Sequence, residues 1–367
     1  MILKLVLSTL LAIFLPGQIV FSKEATAKMT CVTSSCHTTV NKFSKIHVPV
    51  KVHNCTVCHA TTKERPENSK FPDKHPLVTT NMGDDPNKIC LNCHAKWGSK
   101  FSSKKNVHSA IDAETCLGCH NPHGSNFPKL VRITTAESKL CVSCHTDKEA
   151  WRSDSKIKEH KIIHQKKGCL NCHDPHSSNL ETLLLKQGRK LCLDCHNQGI
   201  KTEDGRTLKS FTQEMAKDRT IHPPADEEED CANCHLSHAS GFRKLLKDEF
   251  GEYYDEFSEK KFALCFSCHG ADLVTEAKTS KATDFRNGET NLHNLHVLAS
   301  PKNRGCGMCH EVHSSKNPTL IKDHVPYKDY KLPQMYKKMP DGGSCVTACH
   351  GLKVYDRKKP FTNSKGR

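Results

Sequence analysis

Residues 116–123 read CLGCHNPH, and residues 169–176 repeat them as CLNCHDPH. Two cysteines separated by two residues, with a histidine directly after the second, form the attachment sequence of c-type haem. The spacing has a chemical reason. Two thiols add to the two haem vinyl groups as thioethers, and the next residue is then placed beneath the iron as its proximal ligand. The histidine three places further on cannot easily turn back to the far face of the same haem, because Pro122 and Pro175 break any helix there. We read it as the second axial ligand of a neighbouring haem.

The pattern recurs along the whole chain. The pairs are Cys31 and Cys36, Cys55 and Cys58, Cys90 and Cys93, Cys116 and Cys119, Cys141 and Cys144, and Cys169 and Cys172. They continue with Cys192 and Cys195, Cys231 and Cys234, Cys265 and Cys268, Cys306 and Cys309, and Cys345 and Cys349. All 22 cysteines are used. The first pair encloses four residues and the last encloses three, so full haem loading is left open at these two ends. A histidine follows every pair: His37, His59, His94, His120, His145, His173, His196, His235, His269, His310 and His350. Zinc sites and disulfides also use paired cysteines, but neither requires that histidine. The expected cofactor is therefore about eleven covalently attached haems c.

Of the 25 histidines, 14 remain. His123, His176, His238 and His313 each stand three residues after a proximal ligand. A second group lies upstream of the same motifs: His47, His108, His160 or His164, His222, and His293 or His296. With His53 and His75 near the N-terminus, the set expected to supply distal ligands is His47, His53, His75, His108, His123, His164, His176, His222, His238, His296 and His313. That leaves His160, His293 and His324 over. The seven methionines do not repeat with the motifs, which argues against methionine ligation.

Composition agrees with a core made largely of cofactor. Only 36% of the 367 residues are hydrophobic, too few for ordinary packed domains of this length. A mean hydropathy of −0.61 excludes a polytopic membrane protein. The net charge of +15 would suit a nucleic-acid binder, but aromatic residues are 6% of the chain and no nucleic-acid motif occurs. Two propionates on each of eleven haems, about 22 carboxylates, are a better counter-charge. Residues 1–27 read as a secretory signal peptide, with Lys4 before an apolar run and cleavage expected after residue 22 or 27. No cysteine lies near those positions, so a lipid anchor is not expected. Export would place the chain in the periplasm, with outer-membrane association or release to the exterior left open.

The internal repeat sets the organisation. A single-haem segment at 28–45 precedes five paired-haem units at 46–103, 104–155, 156–215, 216–285 and 286–351, and a basic tail at 352–367 follows. Ile89, Leu140, Leu191 and Leu264 each precede the second motif of a unit, which suggests a short helix entering that site. Glu227, Glu228, Glu229 and Asp230 form an acidic run read as a solvated loop. The fold expected is mostly irregular with short α-helices: an elongated multihaem cytochrome c of paired-haem repeats, with the haems as core. Without haem no stable fold is expected.

The strings CLGCHNPHGS with KLCVSCH, CLNCHDPHSS with KLCLDCH, CANCHLSH with ALCFSCH, and CGMCHEVHSS with SCVTACH resemble those of the doubled-CXXCH (paired CXXCH) multihaem c-type cytochromes. MtrA-type periplasmic decahaem cytochromes of outer-membrane electron conduits belong to the same broad class. The resemblance covers about residues 31–350. It implies bis-histidine haems in an elongated wire with no catalysis of its own. The chain departs from that pattern in its eleven sites, its wider end motifs, and Thr62 where the first unit would carry a further histidine. The implied role is electron transfer across the periplasm or outer membrane in anaerobic or extracellular respiration. Partners would be an inner-membrane quinol-oxidising cytochrome on one side and an outer-membrane porin or surface cytochrome on the other. The alternatives are a subunit of an extracellular cytochrome filament, with self-assembly, and a multihaem reductase with one open iron.

Overall fold

The structure is a computed structural model that describes residues 37–59, 85–202, 205, 207–216, 219–226, 230–299 and 304–363. The leader, the pair Cys31 and Cys36, His75 and the acidic residues 227–229 lie outside the described residues. As expected, regular structure is sparse. The longest helix among the described residues is Gly188–His196, of nine residues. Most strands are two residues long, and the exception is a four-stranded sheet near the C-terminus.

The two motifs of a unit sit on different local structures. First motifs occupy single 3-10 turns, at Cys55–Val57, Cys116–Gly118, Gly168–Asn171, Cys231–Asn233 and Cys306–Met308. In each turn the second cysteine's N–H donates to the first cysteine's carbonyl, and the following histidine's N–H donates to that same carbonyl. One turn thus gathers both thiols and the imidazole. Second motifs lie on α-helices, at Pro86–Cys93, Lys139–Val142, Gly188–His196 and Ala263–Phe266. The first of these starts as its sequence dictates, with Pro86 in the first turn and Asp85 accepting the Asn87 N–H at 3.0 Å. Ile89, Leu140, Leu191 and Leu264 are all half-buried on them.

The described chain divides into two compact bodies: residues 37–59 with 121–130, and residues 85–120 with those from 131 onward. In the first, Lys45–Ile46 pairs antiparallel with Gly124–Ser125. The second body holds three ladders of the same kind. Asn106–Val107 pairs with Ser177–Ser178, Lys158–Glu159 with Ala239–Ser240, and Thr220–Ile221 with Ser314–Ser315. Each ladder joins the residues just before an upstream histidine to those just after the CXXCHxxH histidine of the next unit. Successive units therefore interlock. Side chains add to the join: Asn87 Oδ1 accepts the Cys116 N–H at 2.8 Å, and Ser138 Oγ accepts the Cys169 N–H at 3.1 Å.

Apolar side chains supply little of the interior. The buried hydrophobic residues among those described are Val131, Leu246, Phe262, Val274, Met308, Val325 and Tyr355. Phe262 is the best packed: a Cβ on Gly251 or Gly305 would come within 2.6 or 2.9 Å of its ring. The C-terminal sheet is a meander of β1 (His324–Tyr327), β2 (Tyr330–Met339), β3 (Gly342–Thr347) and β4 (His350–Asp356), antiparallel throughout and in sequence order. It carries the last motif, with Cys345 in β3 and His350 opening β4. The extended backbone there accommodates the wider cysteine spacing.

Candidate haem-ligating histidine pairs

Among the described residues, nine of the motif histidines face a second imidazole. His59 lies 5.9 Å from His123 between ring centroids, His120 6.2 Å from His176, His173 6.0 Å from His238, and His235 6.3 Å from His313. His145 lies 6.1 Å from His108, His196 6.3 Å from His160, and His269 6.3 Å from His222. In the last unit His310 lies 6.3 Å from His293 and His350 6.5 Å from His296. The ring planes agree to within 27° in all but the last pair, where they differ by 53°.

That spacing leaves room for an iron between the rings. Two imidazoles hydrogen-bonded nitrogen to nitrogen would have centroids about 5.2 Å apart. A metal held at about 2 Å from each nitrogen needs roughly 6.2 Å. The donor set is the one that axial haem ligation requires.

The pairing follows a rule. A first motif receives the CXXCHxxH histidine of the following unit, and a second motif receives the upstream histidine of its own unit. In the last unit the helix Leu292–Val297 carries both facing imidazoles, His293 and His296. Histidines three apart share a helical face. Asn291 caps this helix, its side chain accepting the backbone N–H groups of His293 and Asn294.

The structure departs from the sequence reading at two places. It brings His160, not His164, to His196. His160 stands at the end of the strand Lys158–Glu159, as His108 and His222 stand at the ends of theirs, whereas His164 is exposed and paired with Glu159 Oε2 at 2.7 Å. His293, expected to be spare, is used together with His296. His53 is exposed, and His324 pairs with Asp323 at 2.6 Å.

Carbonyl oxygens fix many of the rings. Nδ1–H of His108 donates to the Pro175 carbonyl at 3.1 Å, that of His160 to Ser237 at 3.1 Å, and that of His222 to Val312 at 3.0 Å. In the other body His47 donates to Pro122 at 2.8 Å. Among proximal ligands, His173, His235 and His310 donate to the carbonyls of Thr182, Lys244 and Thr319 at 2.7, 3.0 and 3.1 Å. Such bonds choose the tautomer that leaves Nε2 free for the metal and raise its basicity. The accepting residues are held left-handed, with φ of 52°, 56° and 56°, and the leucine after each is left-handed too. The backbone is strained there in order to aim a carbonyl.

Serine two places past each CXXCHxxH histidine is a feature that sequence reasoning missed. Ser125, Ser178, Ser240 and Ser315 are all buried. Ser178 Oγ donates to the Leu184 carbonyl at 2.6 Å and accepts the Leu180 N–H at 3.0 Å. Ser240 does the same with Leu246 and Phe242, at 2.5 and 2.8 Å. The signal was its recurrence in HGS, HSS, HAS and HSS.

Electrostatics favour neutral ligands. Burial lowers the pKa of His293 to about 4. It lowers that of His313 to about 4 as well, although Glu214 pulls the other way. Burial also lowers His160, His196, His235, His238 and His310. Neutral imidazole is the form that binds metal. The thiols place neighbouring motifs side by side. The Sγ atoms of Cys192 and Cys231 lie within 4.8 Å of one another, and Cys141 and Cys265 neighbour Cys169 and Cys306 in the same way. These contacts join the second motif of one unit to the first motif of the next.

The doubled CXXCH motif family matches residues 108–150, 160–201 and 222–273. Each match opens on the upstream histidine of its unit. The chain is also similar to the multiheme cytochrome MtrA of Shewanella baltica (strain OS185), with 25% identity over 154 residues. That stretch is 40% of this chain and 43% of the relative, so the match spans less than half of that protein's length. The matched segments are doubled CXXCH units, and the motifs hold covalently attached haem c.

Proposed function

We propose that this multihaem c-type cytochrome is an electron conductor, with eleven bis-histidine haems that relay electrons across the periplasm and outer membrane in anaerobic or extracellular respiration. The observation that carries the reading is the set of nine imidazole pairs with centroids 5.9–6.5 Å apart. Haem c, when bound, supplies a one-electron ferric/ferrous couple. The chain's residues do the rest. Each cysteine pair tethers one group, each histidine pair fills both axial positions, and the carbonyls behind the rings hold tautomer and plane.

Two histidines per iron leave no position for a substrate, which favours conduction over catalysis. Histidine without methionine also favours low potentials. The second motif of one unit lies beside the first motif of the next, which supports a relay that follows sequence order. The count of eleven includes the motifs at Cys31 and Cys90, for which His47, His53 and His75 are the remaining candidate ligands.

Export through the N-terminal leader would deliver the chain to the periplasm. Among the described residues no helix is long and apolar enough to cross a membrane. The electron donor in this reading is an inner-membrane quinol-oxidising cytochrome, and the acceptor is a surface cytochrome reached through an outer-membrane porin. Protein-film voltammetry of the haem-loaded chain tests the role. A broad, reversible low-potential envelope, unchanged by nitrite or hydroxylamine, is expected. A catalytic wave with either compound would overturn conduction in favour of an enzyme.

A further inference from the structure

The distal histidines fall into two classes by what holds their rings. Those upstream of a motif, His108, His160 and His222, are fixed by a carbonyl on Nδ1. His176, His238 and His313 have no such partner among the described residues. The carboxylates of Asp174 and Glu214 approach Nδ1 of His176 and His313 at 3.8 Å, beyond hydrogen-bonding distance. An aromatic ring lies against each of these three instead. Trp97 is 4.7 Å from His176 between centroids, Trp151 is 5.5 Å from His238, and Phe211 is 4.9 Å from His313. The last unit follows suit, with Phe285 5.1 Å from His293, whose Nδ1 also meets Thr283 Oγ1 at 3.1 Å.

All four aromatics come from the same place in the repeat. Each follows the second motif of one unit and packs on the distal ligand of the next motif along the chain. Trp97 and Trp151 lie on the helices Ala95–Ser102 and Thr146–Ser153, which start directly after His94 and His145. Phe211 also meets the ring of His196, at 6.0 Å, so it touches a ligand on either side of the junction. The interplanar angles range from 23° to 87°, so a particular stacking geometry is not what recurs. What recurs is a large, rigid side chain against an imidazole that lacks a backbone carbonyl to orient it.

We propose that Trp97, Trp151, Phe211 and Phe285 are positioning residues, one at each junction between units, that set the plane of the distal imidazole at the first haem site of the following unit. This rests on the bis-histidine reading above. A ring without an Nδ1 carbonyl partner can rotate about its bond to the metal, and packing against an aromatic face or edge restricts that rotation. The angle between the two axial imidazole planes governs the g-anisotropy of a low-spin ferric haem and bears on its potential.

The test uses the haem-loaded full chain and low-temperature EPR of the oxidised state. His238→Gly first identifies the low-spin signal of the site at His173, as the one lost to a high-spin signal. Trp151→Leu is expected to keep the haem count and keep every iron low-spin, yet shift or broaden that one signal. Trp151→Phe should restore it substantially. Tyr330→Leu, which removes an exposed ring on the C-terminal sheet, should change nothing. A Trp151→Leu spectrum identical to wild type would overturn the positioning role. If the wild type itself shows high-spin iron at the site that His238→Gly reports, the bis-histidine reading fails, and this inference falls with it. Trp97→Leu and Phe211→Leu give independent repeats at their own junctions.

Discussion

The first and second haem sites of a unit solve the same problem with different backbones. A first site rests on one 3-10 turn, and the imidazole that faces its motif histidine comes from the following unit across a two-residue ladder. A second site rests on an α-helix, and its facing imidazole comes from earlier in its own unit. First sites therefore draw an imidazole from the next unit, whereas second sites draw only the carbonyl that orients theirs. The alternation links each unit to the next through both ligation and strand pairing, in an array of nearest-neighbour contacts. The last unit departs from the scheme. It draws both facing imidazoles from one helix and places its last motif on a sheet.

The largest effect should come from withholding haem. With so few buried apolar residues, the haem-free chain should show no cooperative thermal transition by circular dichroism, while the loaded chain melts cooperatively. A cooperative melt without haem would mean that the side chains form a core of their own.

Next come single ligands. His176→Gly removes the distal ligand of a first site, and His160→Gly that of a second. Each should create one CO-binding haem per chain in the ferrous difference spectrum, and His164→Gly should create none. CO binding in His164→Gly but not in His160→Gly would reverse the assignment.

Smaller effects should separate the two kinds of site by stability. Ser240→Ala leaves the Leu246 carbonyl and the Phe242 N–H without their buried partner, and should cost about 1–3 kcal/mol in denaturant unfolding. Leu183→Ile places a β-branched residue at φ 59°, for a loss of about 1–2 kcal/mol, whereas Leu183→Gly should lose less. The Leu183 substitutions touch a first site only, whereas Ser240 pairs with Lys158 and so also stands behind His160. The spectrum of the haem at Cys192, a second site, should therefore not move in Leu183→Ile.

The sequence made the covalent chemistry legible because thioether attachment fixes the spacing within a few residues. The recurring histidines were legible for the same reason. The choice of His160 over His164 was not, because it depends on a strand of two residues, Lys158–Glu159, whose partner lies some eighty positions away at Ala239–Ser240. The left-handed pairs at Thr182–Leu183 and Lys244–Leu245 were hidden as well, since neither threonine, lysine nor leucine advertises a positive φ. The aromatics on the distal rings follow their motifs at irregular distances, from Trp97 close behind His94 to Phe285 well beyond His269, so no period exposes them.

The most direct test of the account is a pyridine haemochrome count on the purified protein, with ferric and ferrous spectra recorded with and without CO. The account requires eleven haems, all low-spin and all blind to CO. A high-spin, CO-binding fraction near one haem in eleven would contradict the claim that every iron has two histidines, and would mark that haem as the candidate site of a reaction.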